Sequence, residues 1–318
     1  MEGLLIGVFG TDVETKNSLE TALAKKSEAE GITVFHRTEA GRKISFLDDS
    51  SFPGRIQGYS RIASMADAAF YLFPTSGKLA APDGELAVLL ESFSLDGRVI
   101  VLGQSASPEQ VKSTLAGTKV ARYPIEQRVA SSSVLDLAGL NPRGEPGGAT
   151  IYVDRIFAVK GVGTVALGFV LRGRVSVHDQ LRPVGTSEAR VDVKSIQVND
   201  QDFESVGRGV RVGLSLRGAE ADALGKCSWF DDGTNEVGDT LTIEFKKSQF
   251  YKHDVTDREL HLQLPGEIVN ARLARGESNG EIVAKLPGEV PHWPGMRVAV
   301  IDLNGKGLRV AGGGTCKR

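Results

Sequence analysis

The sequence predicts an α/β plus all-β protein, in which a doubly wound, P-loop-like domain precedes two β-barrel domains. Three observations carry this reading. Leu4-Leu5-Ile6-Gly7-Val8-Phe9-Gly10 is a short apolar strand ending in glycine, followed by a helical pattern from Ser18 to Lys26 with Leu19 and Leu23 on one face. Residues 151–173 alternate through Ile156 and Ala158, then Val165, Leu167, Phe169 and Leu171, with Gly161 and Gly163 marking a tight turn between two strands. Beyond residue 239, short strand patterns are separated by Pro-Gly and Asn-Gly turns such as Pro287-Gly288 and Asn304-Gly305. The expected domains are 1–146, 147–238 and 239–318, with Asn141 to Gly148 as the clearest linker.

In the first domain, strands are expected at Ile44–Leu47, Ala69–Phe73 and Arg98–Leu102, with a helix from Gly84 to Phe93. The second block continues through Gly173–Leu181, Val193–Gln197 and Gly209–Gly218, at the spacing of all-β modules. Strands of the third are expected at 240–246, 259–264, 268–273, 281–286, 296–303 and 307–311.

Composition narrows the function classes. The chain has 318 residues, 41% of them hydrophobic, without an apolar run long enough to span a membrane. Its start, MEGLLIGVFG, has no basic region ahead of an apolar core, so a cytoplasmic protein is expected. Net charge is −2, and only residues 240–318 are basic, with 12 basic against 9 acidic side chains. A broad phosphate-neutralising face, and DNA binding with it, is not indicated. Cys227 and Cys316 do not form a disulfide framework or zinc pattern and are read as reduced structural residues. His253, His261 and His292 show no metal-ligand spacing.

Strand, loop and helix place Gly10-Thr11-Asp12-Val13-Glu14-Thr15-Lys16-Asn17-Ser18 where a phosphate-binding loop belongs. A working loop, G-x-x-x-x-G-K-[ST], needs glycines so that backbone N–H groups wrap the phosphates, a lysine to neutralise them and a hydroxyl for magnesium. Gly10 and Lys16 keep the spacing. Thr15 replaces the second glycine, Asn17 replaces the hydroxyl, Asp12 and Glu14 add negative charge, and Ser18 stands one place too late to hold the metal. Gly10, Lys16 and Ser18 are therefore remnants of a nucleotide site. Lys16 is expected to face solvent, with a weak anion site as the less favoured reading.

The barrel pattern from Gly147 onward resembles the second domain of the elongation factor Tu family of translational GTPases, and within it the SelB group most closely. The resemblance implies a first switch ending in a threonine, which Glu30-Gly31-Ile32-Thr33 matches only 17 residues after Lys16. It also implies an aspartate-x-proline-glycine element. Here, counting back from Pro53-Gly54, Ser51 takes the aspartate position and Arg55 that of the water-orienting histidine, while Asp48 and Asp49 are displaced. Gly103-Gln104-Ser105-Ala106 stands where the family reads guanine. Together these losses predict a pseudo-GTPase that does not bind GTP and magnesium normally, with no catalytic residues and no metal site.

The family's barrel holds the end of a charged tRNA, and SelB-like proteins line that pocket with residues matched here by Asp154, Arg155, Phe157, Gln197 and Arg211. The types suit a small anionic group, since arginine forks accept carboxylate or phosphate and a ring can stack on a base; a plain surface ion pair with an ordinary core phenylalanine is the alternative. With the third barrel pattern running to Arg318, no fourth, messenger-binding domain is expected. The expected partner is tRNA or a ribosome-associated factor, and overall resemblance suggests an archaeal source. Two rivals remain: a true but divergent GTPase using Asp48 or Asp49 as metal ligand, and a protein-interaction scaffold.

Overall fold

Strand β1 (Gly3–Phe9) is buried along its whole length, as a continuous apolar run covered on both sheet faces must be. It pairs in parallel with β4 (Arg42–Asp48) and β5 (Ala68–Phe73). Parallel pairing continues through β6 (Asp96–Val101) to β7 (Ile125–Glu126). On the other edge, β3 (Ile32–Glu39) runs antiparallel to β4, and β2 (Lys25–Ala29) antiparallel to β3. The sheet order is β2-β3-β4-β1-β5-β6-β7. The computed structural model describes residues 1–12, 16, 19, 25–29, 32–39, 41–49, 51–101, 106–127, 147–185, 190–225 and 227–317.

The β2–β3 hairpin corrects two expectations. Lys16 and Leu19 are helical, but Lys25 and Lys26, expected to end that helix, open a strand. Thr33, expected in a switch-like loop, stands opposite Asp48 in the sheet. The physical reason is tertiary: Ile32 and Val34 are buried on the sheet, and strand pairing satisfies the backbone more fully than a marginal helix end.

Helices cover the sheet. In α1 (Gln57–Met65), Tyr59, Ile62 and Ala63 form the buried stripe. Helix α2 (Ala81–Ser92) starts where the Asp83 carboxylate accepts the Ala80 N–H at 2.8 Å. Helix α3 (Pro108–Thr114) is capped by Ser107, whose hydroxyl accepts the Gln110 N–H.

The second unit comprises β8 (Thr150–Val159), β9 (Gly163–Arg172), β10 (Arg174–Ser176), β11 (Gln180–Val184), β12 (Val191–Val198), β13 (Gln201–Phe203), β14 (Ser205–Gly207), β15 (Arg211–Arg217) and β16 (Trp229–Asp231). Its main antiparallel sheet runs β11-β16-β8-β9-β15-β12-β13, and β11 also pairs with β12, so the strands curl round to meet. The third unit is a closed barrel. Its strands are β17 (Glu236–Lys247), β18 (Arg258–Gln263), β19 (Ile268–Arg275), β20 (Glu281–His292), β21 (Arg297–Ile301) and β22 (Val310–Cys316). The last strand was expected at 307–311 but begins at Val310 and runs on through three glycines. Those glycines mask it in the sequence, and one has a packing reason: a Cβ on Gly313 would lie 2.0 Å from the carbonyl oxygen of Ser92, at the end of α2.

Domain contacts are dense. Arg309 donates to both Glu85 oxygens, Nε to Oε1 at 3.1 Å and Nη2 to Oε2 at 2.5 Å, with only 6% of the Glu85 side chain exposed. From α1, Ser60 donates to Gln263 at 2.6 Å, while Ser64 accepts the Gly266 N–H at 3.0 Å. Trp229 donates to the Pro265 carbonyl at 3.0 Å, joining the two β units. At the amino end, the Gly3 N–H donates to the Arg208 carbonyl at 2.9 Å. One apolar cluster runs through all three units, including Phe9, Tyr59, Phe169, Trp229 and Leu262.

Replacing Arg309 by alanine strands the buried Glu85 carboxylate and is expected to cost about 3 kcal/mol in urea unfolding. Adding Glu85→Gln should restore a large part of that loss, and equal stability of the two variants would show that the pair contributes through packing alone.

Candidate functional site

After β1, the Lys16 side chain points toward α1 and the end of β4 rather than toward solvent. Lys16 is 1% exposed. Its Nζ lies 2.7 Å from Asp48 Oδ1, donates to the Tyr59 hydroxyl at 2.9 Å and lies 3.3 Å from the Asp49 carbonyl oxygen. This corrects the expectation that Lys16 faces water: a buried ammonium needs a counter-charge and several acceptors, and the displaced aspartate supplies the first. Tyr59 also donates to Asp48 at 3.0 Å and sits 3.1 Å from the Gly10 carbonyl oxygen, between the rings of Phe9 and Phe52. Burial holds the Asp48 carboxyl above its ordinary range, with Lys16 acting in the opposite direction. Burial and the Asp48 charge push the Tyr59 phenol well above its usual value, so the phenol stays a neutral donor.

Neighbouring groups are committed as well. Asp49 accepts from the backbone N–H and the hydroxyl of Ser51, both at 2.8 Å. Thr11 donates to Asp83 at 2.7 Å, and Thr75 donates to Asp12 at 3.2 Å. Gly10 packs on Leu72, whose Cβ would lie 2.8 Å from an added Cβ. Arg55 is exposed, its backbone N–H closing a turn onto the Ser51 carbonyl. Glu14, Thr15, Asn17, Ser18 and Gly103 to Ser105 lie outside the described residues, as does most of the expected linker.

On the second unit, Asp154 and Arg211 come together. Arg211 Nη2 lies 3.0 Å from Asp154 Oδ2 and Nε 3.3 Å from the same oxygen, the carboxylate being 6% exposed. Asp154 reaches this position because the β8–β9 register shifts between Val153 and Arg155. The aromatic neighbour of Arg211 is Phe169, its ring centroid 5.7 Å from the guanidinium carbon. Phe157 is half-buried opposite Val165. Arg155 is exposed and lines a cleft of about 280 Å³ with Arg61 and Glu267. Gln197 donates to Asp202 at 2.9 Å. The register Arg155–Leu167–Gly213–Gln197 puts Gln197 three strands from Arg155, about 14 Å away at ordinary strand spacing. The five residues thus form one tight pair and three separate positions.

Sequence reasoning missed His36, Tyr59 and Phe169. His36, on β3, lies 3.0 Å from the Ser45 hydroxyl through Nδ1. Burial, then the charges of Arg211 and Lys43, lower its pKa to about 4. The alternation of β3 could have placed His36 on a half-covered face, but nothing local reveals a barrel arginine 175 positions later. Burial pushes Cys227 up to about 11 and Cys316 up to about 12, keeping both thiols protonated at neutral pH. Among the described residues, no group of three or more His, Cys, Asp or Glu side chains is placed to hold a metal, and no helix is long and apolar enough to cross a membrane.

No family model matches the chain. An uncharacterized protein of Methanocaldococcus jannaschii is 28% identical over 316 residues, 99% of each chain. The selenocysteine-specific elongation factor of the same organism is 33% identical over 115 residues, 35% of this chain and 24% of the factor. That of Escherichia coli is 28% identical over 145 residues, 45% of this chain and 22% of the factor. The matched stretch is thus about a quarter of either factor's length. Among solved structures, SelB of Methanococcus maripaludis with the GTP analogue GppNHp superposes with TM-score 0.81 at 20% identity, over all of this chain and 79% of that one. A bacterial selenocysteine-specific factor gives 0.84 at 16% identity, over 99% of this chain and 58% of that one. The fold is that of the SelB elongation factors. On this SelB-like scaffold, the Lys16–Asp48 pair lies between the end of β4 and the residues after β1, and the Asp154–Arg211 pair lies on the second unit within electrostatic reach of His36 of the first.

Lys16→Met is expected to cost about 3–5 kcal/mol, because it leaves Asp48 buried without its counter-charge. Lys16→Met combined with Asp48→Asn should regain most of that, as read by chemical denaturation; a single-variant cost below about 1 kcal/mol contradicts the buried pair. For His36, the folded pKa lies below the unfolded value of 6.5, so its contribution is complete above pH 6.5 and lost as pH falls toward 4. The expected loss is about 2 kcal/mol, allowing for solvent screening at a half-buried site. His36→Gln should flatten that window, and an unchanged pH profile assigns the slope to other groups.

Proposed function

We propose that this chain is a translation-associated binding protein on a SelB scaffold, one that neither holds GTP and magnesium normally nor hydrolyses GTP. The observation carrying this reading is the burial of Lys16 against Asp48 and Tyr59. A phosphate-loop lysine acts by placing an unneutralised charge against the β- and γ-phosphates, and here that charge is met by an internal carboxylate. The same pair engages Asp48, and Asp49 accepts from Ser51, which supports the reading that neither displaced aspartate serves as a metal ligand. Work on a partner then falls to the β units.

The partner proposed is tRNA or another translation component, held near Arg155, Arg211 and Phe157 on the second unit. Arg155 is the exposed arginine of that set and the one best able to meet a carboxylate or phosphate. A protein-interaction scaffold is the second reading, favoured by the mutual satisfaction of Asp154 and Arg211.

Titration with fluorescent GDP and GTP in magnesium, against the adenine nucleotides as control, is expected to show no guanine-selective saturable binding in the micromolar range. Micromolar binding that prefers guanine over adenine nucleotides would overturn the proposal. Filter retention of aminoacylated against uncharged tRNA separates the two readings. Arg155→Ala should weaken retention of the charged form about tenfold, roughly 1.4 kcal/mol, with an unchanged thermal midpoint; equal or absent retention supports the scaffold.

A further inference from the structure

A second concentration of positive charge lies away from both positions already described. Where the C-terminal turn of α1, the end of β9, the turn before β15 and the loop leading into β21 converge, they enclose a cavity of about 390 Å³. Arg172, Arg208 and Arg297 line it, and among the described residues no carboxylate does. Trp293, Met65 and Met296 supply an apolar wall. All three structural units contribute.

The arginines are oriented but not exhausted. Arg208 pairs through Nη1 with Asp67, whose side chain is fully buried and also accepts the Leu5 N–H, whereas Arg208 Nε is buried without a hydrogen-bond partner. Arg297 uses Nη1 on the Phe93 and Ser94 carbonyl oxygens, at 2.6 and 2.9 Å. Burial lowers its pKa, Asp96 acts to raise it, and the charge of Arg208 lowers it further, which places the two guanidiniums within electrostatic reach of each other. Arg172 donates to Asn235 Oδ1 and lies 5.2 Å from the centre of the Trp293 ring. Asp67 and Asp96 offset part of this charge, and an anion entering between the guanidiniums would offset more of it. Guanidinium forks match phosphate oxygens two at a time, and a volume just above about 300 Å³ is at the small end of ligand sites.

We infer that this three-way junction is a binding site for a small oligophosphate, either free or as the phosphate chain of a nucleotide, gripped by Arg208 and Arg297 with Arg172 at its edge. The site stands apart from Lys16, and its ligand would bridge the second and third units through two arginines of different parentage.

Isothermal titration of the full chain with inorganic tripolyphosphate, and separately with ATP, tests this. Saturable binding of tripolyphosphate that weakens as salt rises is expected, together with a rise in the thermal midpoint. Equal affinity for ATP assigns recognition to the phosphate chain, and tighter binding of ATP adds the Trp293 wall to the site; either outcome supports the inference. Arg208→Gln and Arg297→Gln should each weaken binding about tenfold or more. If Arg208→Gln fails to fold through loss of its Asp67 pair, Arg297→Gln decides alone, since glutamine can still donate toward the Phe93 and Ser94 carbonyls. Absence of saturable binding by tripolyphosphate, or affinity unchanged in Arg297→Gln, overturns it.

Discussion

The ion pair between Lys16 and Asp48 is the interaction on which the amino-terminal unit turns. It joins the loop after β1, the end of β4 and, through Tyr59, helix α1. Helix α1 in turn carries Ser60 and Ser64, which meet Gln263 and Gly266 of the third unit. Phe52, beside Tyr59, lies under the Arg309 guanidinium that is itself locked onto Glu85. A chain of polar and aromatic contacts therefore leads from Lys16 to the face between the first and third units. In a nucleotide-driven switch, the helix in that position must be free to shift when phosphate contacts change. Here that helix is held by Tyr59 to Asp48 and the Gly10 carbonyl, and by Ser64 to the Gly266 N–H.

Much of this fold was legible in the residues. The β8–β9 hairpin announces itself by alternation on either side of Gly161 and Gly163, and β1, β4, β5 and β6 by short apolar runs with turn signals between them. Two strands were hidden for different reasons. β2 carries lysines and a glutamate in a segment that also reads as the tail of a helix, and only its pairing with β3 decides the matter. β22 contains three consecutive glycines, which leave no side-chain pattern to read, because backbone from the α2 terminus approaches too closely for a Cβ at Gly313.

The candidate sites were legible as residue types but not as partnerships. Spacing alone identified Gly10 and Lys16, yet whether a lysine reaches outward or inward depends on Asp48, 32 positions away and on a different strand. Asp154 and Arg211 were singled out together, and they pair; the ring beside Arg211 is nevertheless Phe169, from the strand hydrogen-bonded to β15, and not Phe157 of the same segment as Asp154. Neutralisation is the common outcome at both places, since each conspicuous cation faces a carboxylate within 3.0 Å. Arg172, Arg208 and Arg297 line a cavity at the junction of the three units, to whose wall no described carboxylate contributes.

The apolar cluster that threads Phe9, Phe169 and Leu262 into one body bears on how the chain comes apart. The second unit keeps a core of its own, but units that share this apolar seam cannot separate without wetting it, which couples their unfolding on heating. By the same reasoning, any single unit excised from its neighbours would carry a bare apolar flank.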